Sequence, residues 1–227
     1  MTVVREAVKF LVGGMNRPVA TMRLAHAVMT DPRPHRIEIG AHRRGRAGWI
    51  GTDISWRTRH YMDAAKPWPI PDSSVSHVYG DNMIEHMRME PNRRMFREAR
   101  RVLMPGGKIR FATPDVEYVV ELYVQNNEET KKAIERSTWE AHHPVDLLRI
   151  PFQECGHHLG YLWDFQSLNA ELVAAGFTGV RRCAPGQSDD PVFRNLESRP
   201  DRALIVEAEV SSDISEEARR PTFSGVR

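Results

Sequence analysis

Three histidines stand where they could move a proton. His86 closes the run Asp81-Asn82-Met83-Ile84-Glu85, while His157 and His158 are adjacent, just after Glu154-Cys155-Gly156. A neutral imidazole accepts a proton near pH 7, at about its own pKa, so each is a candidate general base. The plainer alternative for any one of them is a structural histidine satisfied by a neighbour. Glu154, His157, His158 and Asp164 could also gather around Mg²⁺ or Zn²⁺, but their spacing fits no closed zinc pattern and no metal is assigned. A second kind of chemistry lies in Ile37-Glu38-Ile39-Gly40 and Trp49-Ile50-Gly51-Thr52-Asp53-Ile54. A strand that ends in glycine lets backbone approach a ligand closely. A carboxylate at the tip of the next parallel strand can accept both hydroxyls of a ribose. Together they suggest a nucleoside site; a buried strand, a turn glycine and a capping aspartate would explain the same residues.

These residues need elements to hold them. Residues 37–40 and 49–54 read as short strands separated by Ala41 to Gly48. A crossover through a helix takes at least ~10–12 residues, so this connection lacks a proper one. That removes the helix N-terminus that would face an anionic group. Arg43, Arg44 and Arg46 could supply the charge instead, solvated arginines being the plainer reading. Val75 to Tyr79 alternates apolar and polar residues, as a strand does, and leaves Asp81 to His86 at its carboxyl edge. Pro91 suits the first turn of a helix carrying Met95, Phe96, Ala99, Val102 and Leu103. Pro105-Gly106-Gly107 stops it, and Lys108 to Thr113 is the next strand. Asp115 caps a helix with Val116, Val119, Val120, Tyr123 and Val124 on its apolar side. Asp164 caps another, with Phe165, Leu168, Leu172 and Val173, ended by Gly176. Val180 to Cys183 and Ala203 to Val210 are the last strands, with a polar loop, Pro185 to Arg202, between them. Strands alternating with helices and two strands close together at the end predict an α/β sheet with ligands at its carboxyl edge.

Residues 1–34 form an N-terminal helical extension, interrupted at Gly13-Gly14 and Pro18, with a second short helix over Thr21 to Met29. It is read as a lid, a homodimer arm or a weak membrane-surface contact, or more plainly as a helix packed over the core edge. Residues 35–210 form the main domain. Within it, residues 126–163 are an insertion capping the site, whose Trp139, Tyr161 and Trp163 would stack on a substrate ring or pack in the cap. Residues 211–227 lack periodicity and are expected to be a flexible tail.

The 32 basic and 30 acidic residues leave a net charge of +2, which argues against a dedicated nucleic-acid binder. Two cysteines make neither a disulfide framework nor a zinc knuckle, and a reducing, cytoplasmic setting fits. No apolar run reaches the roughly 18 residues of a membrane span, and no secretory signal is visible.

The order of motifs resembles the class I S-adenosylmethionine-dependent methyltransferases from about Arg36 to Val210. The resemblance rests on IEIG, GTDI, PWPIPDSSVSHVYGDNMIEHM, FREARRVLMPGGKIRFATPD and LNAELVAAGF. The tail from DFQSLNAELVAAGF to DRALIVEAEV also resembles a subgroup found beside bacterial sugar and surface-polysaccharide genes. The resemblance implies a doubly wound, Rossmann-like sheet, mostly parallel with an antiparallel last strand. It implies S-adenosylmethionine as cofactor, with Gly40 under its methionine part and Asp53 on the ribose hydroxyls. Asp63 would lie near the adenine amino group with Ala64 beside the ring, and Asp81 and Asn82 would line the floor. Glu38 and Ile54, in the same two leading motifs, are counted with the cofactor-binding residues. The implied activity is methyl transfer to oxygen of a small molecule or sugar. Such enzymes usually carry GxGxG after the first strand; here His42 takes the second glycine position. That departure keeps two alternatives open: a binding or structural protein on the same fold without turnover, and a relative doing non-methyl chemistry such as a cyclisation.

Overall fold

The computed structural model describes residues 2–42, 45–153, 159–199 and 203–212, with side chains from residue 12 onward. Seven strands make one sheet: β1 (His35–Ile39), β2 (Ile50–Asp53), β3 (His60–Tyr61), β4 (Val75–Asp81), β5 (Leu103–Pro114), β6 (Thr178–Arg182) and β7 (Ala203–Glu209). Their order is β3-β2-β1-β4-β5-β7-β6. The pairs from β3 through β5 are parallel, and β7 runs antiparallel to both β5 and β6. The helices are α1 (Thr2–Thr30), α2 (Met89–Val102), α3 (Val116–Gln125), α4 (Glu128–Glu135), α5 (Pro144–Gln153) and α6 (Phe165–Ala174). This is the doubly wound, mostly parallel sheet with an antiparallel last strand that the motif order implies.

Strand periodicity divides the sheet into two unlike faces. One carries Ile37, Ile39, Val78, Ile109, Phe111 and Val206, and packs on Met95, Phe96, Ala99 and Val102 of α2 and Leu168 and Leu172 of α6. The other carries a row of polar residues in register: Glu38 beside Tyr79, Tyr79 beside Arg110, Arg110 beside Glu207, and Glu207 beside Arg181. The loop between β6 and β7 lies over that row. Glu197, like Arg110 and Glu207, is buried, and Arg110 donates to both carboxylates. Asp190 accepts from His77 (3.1 Å) and Lys108 (2.9 Å). Burial pulls the Asp190 carboxyl up, but Lys108, the Val192 N–H and His77 outweigh it and hold it below the usual carboxylate range. Phe193 stacks on Trp49 of the first connection and meets the His77 ring edge-on. A loop thus does the covering that a crossover helix does elsewhere in such sheets.

Two readings of the sequence change here. Residues 2–30 are one helix with Pro18 inside it, not two pieces. A proline ring presses on the carbonyl four residues back, here that of Gly14, and removes one hydrogen bond. Tertiary anchoring offsets this: Asn16 donates to the carbonyls of Trp56 and Thr58, and Gly13 sits against the Trp56 side chain. Pro105-Gly106-Gly107 does not separate helix from strand. It kinks β5, whose pairing to β4 shifts register between Val75 and His77. Within the insertion, α4 and α5 share with α3 a small core of Leu122, Ala133 and Leu147. Asn127 caps α4 reciprocally with Thr130, whose hydroxyl also donates to the Leu122 carbonyl at 2.7 Å.

Candidate active site

The carboxyl ends of β1, β2, β4 and β5 meet at one edge. Gly40 follows β1 at φ +71°, and a Cβ there would lie 2.9 Å from the Met83 Cβ. Glycine is therefore required twice over, by its left-handed backbone and by the thioether side chain that closes beside it. The chain stays paired as it leaves: the Ala41 N–H donates to the Thr52 carbonyl at 3.0 Å. His42 also takes a left-handed conformation (φ +52°), and its N–H donates to Asp53 Oδ2 at 2.9 Å. Its side chain is exposed. The Ser55 N–H donates to Asp53 Oδ1 at 2.6 Å. Two backbone amides thus hold this half-buried carboxylate at the tip of β2. A carboxylate has about four acceptor positions, so capacity for two further donors remains. Ile54, next in the chain, is 66% exposed, an apolar side chain with no cover.

Ala41 and Gly45 lie close against β2 because Gly51 has no side chain. A Cβ on Gly51 would lie 2.8 Å from the Gly45 Cα and 2.9 Å from the Ala41 Cβ. Arg46 fastens the loop. It donates through its backbone N–H (3.2 Å) and Nε (3.0 Å) to Glu38, reaches the Leu196 carbonyl, and lies over the Tyr79 ring. Burial raises the Glu38 carboxyl, with Arg46 pulling the other way. Arg46 is therefore no solvated arginine, and Glu38 spends its carboxylate on the loop below the strand tip. Arg43 and Arg44 lie outside the described residues.

At the tip of β4, Asn82 sits at φ +50° with its N–H on the Ala112 carbonyl (2.8 Å) and its amide on Asp81 Oδ1 (2.8 Å). The Ser198 N–H takes Asp81 Oδ2 at 2.8 Å, so the β6–β7 loop reaches the same edge. Asp63 caps its own turn through the Ala65 N–H (3.1 Å) and pairs with Lys66. Ala64 is buried, and its carbonyl accepts from the Trp68 ring N–H. A single turn of 3-10 helix, Ile84–His86, follows β4. His86 is exposed at its end, whereas Glu85 is fully buried. Glu85 Oε2 accepts from the Thr113 hydroxyl at 3.0 Å, and Oε1 has no hydrogen-bond partner among the described residues. Burial pushes this carboxyl up to about 7. Tyr161 N–H donates to the Glu85 carbonyl, and Gly160 presses so close to it that a Cβ would fall 1.8 Å from that oxygen.

The structure thus gathers Gly40, Asp53, Ile54, Asp81, Asn82 and His86 along one edge, with Asp63 and Ala64 just past β3. His157, His158 and Glu154 lie outside the described residues. Asp164 is an N-cap: both the Ser167 hydroxyl and its N–H hold the carboxyl below its ordinary range. Among the described residues no three His, Cys, Asp or Glu side chains could hold a metal ion. Trp163 is buried against Phe96 and Tyr161, while Trp139 is partly exposed. Met83, Ser55, Thr113 and Ser198 were not singled out by sequence. Met83 and Thr113 lie inside the quoted motifs, but Ser198 contributes only its backbone, which no residue type advertises.

Residues 12–111, just under half of the chain, match the family model of a methyltransferase domain. This is a methyltransferase fold. No curated protein matches the chain. Among solved structures, the methyltransferase fold is similar to an S-adenosylmethionine-dependent methyltransferase from Thermotoga maritima described as a possible histamine N-methyltransferase. Identity is 17% and the TM-score 0.45, over 91% of this chain and 95% of that one. One from Mesorhizobium loti shows 19% identity and a TM-score of 0.44, over 77% and 90%. The CurJ carbon methyltransferase shows 14% identity and a TM-score of 0.44 over 82% of this chain. The chain spans 51% of that protein's length.

Proposed function

We propose that the chain is an S-adenosylmethionine-dependent methyltransferase acting on an oxygen of a small molecule or sugar. The observation that supports this most is the pairing of two strand tips. Gly40 leaves backbone open at one, and at the other two amides hold the Asp53 carboxylate with two acceptor positions to spare. A ribose diol offers two donors. Ile54, exposed beside Asp53, suits the flat face of an adenine. His42, in place of the usual glycine, turns its side chain outward and gives only its N–H to the site, so these residues fit the cofactor. Asp81 and Asn82 would floor the methionine end, and Asp63 and Ala64 would border the base. The bound cofactor supplies an electrophilic methyl on a sulfonium. The protein's part is to align an acceptor with it, and orientation alone is worth several kcal/mol, about 7–11 at best. A hydroxyl acceptor must lose its proton; His86, at the exposed end of the turn after β4, is the base we propose, with His157 and His158 as the other proposed bases. A sugar acceptor is favoured by the likeness of the C-terminal motifs to the sugar-associated subgroup.

Titration calorimetry with S-adenosylmethionine and S-adenosylhomocysteine tests the reading. Micromolar binding, lost in Asp53→Ala, supports it. Absence of binding to either compound by the folded chain overturns it in favour of a binding or structural role. Product formed without release of S-adenosylhomocysteine would indicate non-methyl chemistry on the same fold.

A further inference from the structure

Helix α1 buries Ala20, Leu24, Ala27 and Val28 against the domain. On its far side Val12, Met15, Val19, Met22 and Met29 recur at helical spacing and remain open, the three methionines at 77, 64 and 73% exposure. The stripe runs 17 residue steps, about 26 Å of helix. It borders a cleft of about 1080 Å³, between α1, residues 42 and 45–49 of the first connection, and the starts of β2 and β3. The short connection leaves that space where a full crossover would have placed a helix.

The cleft is basic. Arg23 and Arg59 line it with His26 and His42 against a single acid, Asp31, while Arg46 is committed to Glu38 and burial favours neutral His60. Residues 12–30 hold Arg17, Arg23 and His26 and no Asp or Glu. On the segment beside the helix, Arg57 lies over the half-buried Trp56 ring at 4.0 Å, and Arg17 lies over Tyr61 at 4.3 Å. Apolar side chains flanked by arginines and by aromatic rings with a polar end are what an interface between hydrocarbon and anionic headgroups requires. Unbranched methionines adapt to an irregular, fluid surface. A second copy of this face would set arginine against arginine, and a helical partner would meet no alternating charges to fix its register. No helix among the described residues is long and apolar enough to cross a membrane, so the contact lies on the surface.

We propose that the outer face of α1, with the basic cleft beside it, docks this protein on an anionic lipid surface. The docking face shares the connection of residues 42–49 with the strand tips, because the His42 N–H holds Asp53 while its residue lines the cleft. The inference stands on the stripe and the charges, and does not depend on methyl transfer.

Co-sedimentation of the full chain with vesicles of phosphatidylcholine alone, or of phosphatidylcholine with phosphatidylglycerol, tests it. The expected result is binding to the anionic vesicles only, weakening as salt rises from about 0.05 to about 0.5 M and the Debye length shrinks. Met15→Asp with Met22→Asp removes two exposed side chains and should weaken binding roughly tenfold or more. Arg23→Glu with Arg59→Glu should do the same without touching the stripe. Circular dichroism confirms that each variant is folded. The proposal is overturned if the chain stays in the supernatant, if it pellets equally with both vesicle types, or if the methionine variant binds unchanged. A dimer in sedimentation velocity that the methionine variant abolishes would assign the face to a second copy instead.

Discussion

Replacing Glu85 by glutamine should change how stability depends on pH, by an amount the structure sets. The carboxyl is fully buried, accepts from Thr113 on one oxygen, and has Asp81 and Arg199 as charged neighbours. Burial lifts it from an ordinary 4.5 to about 7. Between those two values the folded state keeps the proton that the unfolded chain has released, so stability falls as pH rises through the window and levels off above about 7. The penalty is about 1 kcal/mol at about pH 5 and about 3 kcal/mol at about pH 8, a difference of about 2–3 kcal/mol. Glutamine cannot ionise, so it removes that difference. Its amide does place donors where Oε1 now has no partner, which costs about 1–3 kcal/mol at every pH. The absolute stability of Glu85→Gln is therefore less informative than its slope. For a chain of this size about 2–3 kcal/mol corresponds to roughly 4–12 °C in Tm. The Tm of Glu85→Gln minus that of the wild type should rise by this amount between about pH 5 and about pH 8 in thermal unfolding followed by circular dichroism. A difference that stays flat across the range would refute the assignment of a proton to Glu85.

Asp53→Ala should abolish S-adenosylhomocysteine binding in calorimetry while lowering Tm only slightly, since the two amides it frees lie in a half-exposed loop that water reaches. Gly51→Ala should lower Tm and weaken cofactor binding together, because its methyl meets the Gly45 backbone at 2.8 Å and the loop must move; overpacking of this kind costs about 1–3 kcal/mol, and unchanged binding would show that the loop's course is irrelevant to the site. Arg110→Met should destabilise by about 3–5 kcal/mol in denaturant unfolding, because it leaves Glu197 buried without its cation and Glu207 with Arg181 alone. The triple variant Arg110→Met, Glu197→Gln, Glu207→Gln should recover much of that loss.

What the sequence made legible follows the physics of each signal. Apolar alternation placed Val75 onward as a strand, and the helical spacing of Met95, Phe96, Ala99 and Val102 gave α2 its buried face. Asp115 and Asp164 cap the helices they were read to cap. Those signals are local, so one chain suffices to show them. β3 escaped because two residues, His60 and Tyr61, carry no period. α1 was divided because glycine and proline are local breakers, while the bonds from Asn16 to the carbonyls of Trp56 and Thr58 that hold it together span some forty positions. α4 begins at Asn127-x-x-Thr130, a capping box without the Glu or Gln that usually advertises one. At the candidate site the side chains could be named but their employment could not. Nothing near Glu38 in sequence says that Arg46 will occupy it.

The same limit explains why the polar face of the sheet was invisible. Strands β1, β4, β5 and β7 each contribute one charged or hydroxylated residue to the buried row, and in sequence each looks like the solvated side of an amphipathic strand. Only register brings Glu38, Tyr79, Arg110 and Glu207 side by side, and the β6–β7 loop, arriving with Leu196 and Glu197, covers them together with Arg46 and Trp49 of the first connection. The short first connection and the long last one are therefore two halves of one arrangement. A sheet face without its first crossover helix cannot be apolar unless something apolar covers it, and a loop of polar residues can cover only a face that offers it charges and hydrogen bonds. The loop that covers the face also ends its course on Asp81 through the Ser198 N–H, so the covering and the strand tip are fixed by the same segment. Shortening the loop between Gln187 and Leu196 should therefore affect stability and cofactor binding together, whereas changes confined to α4, whose small core is shared with α3 and α5 and is separate from that of the sheet, should affect stability alone.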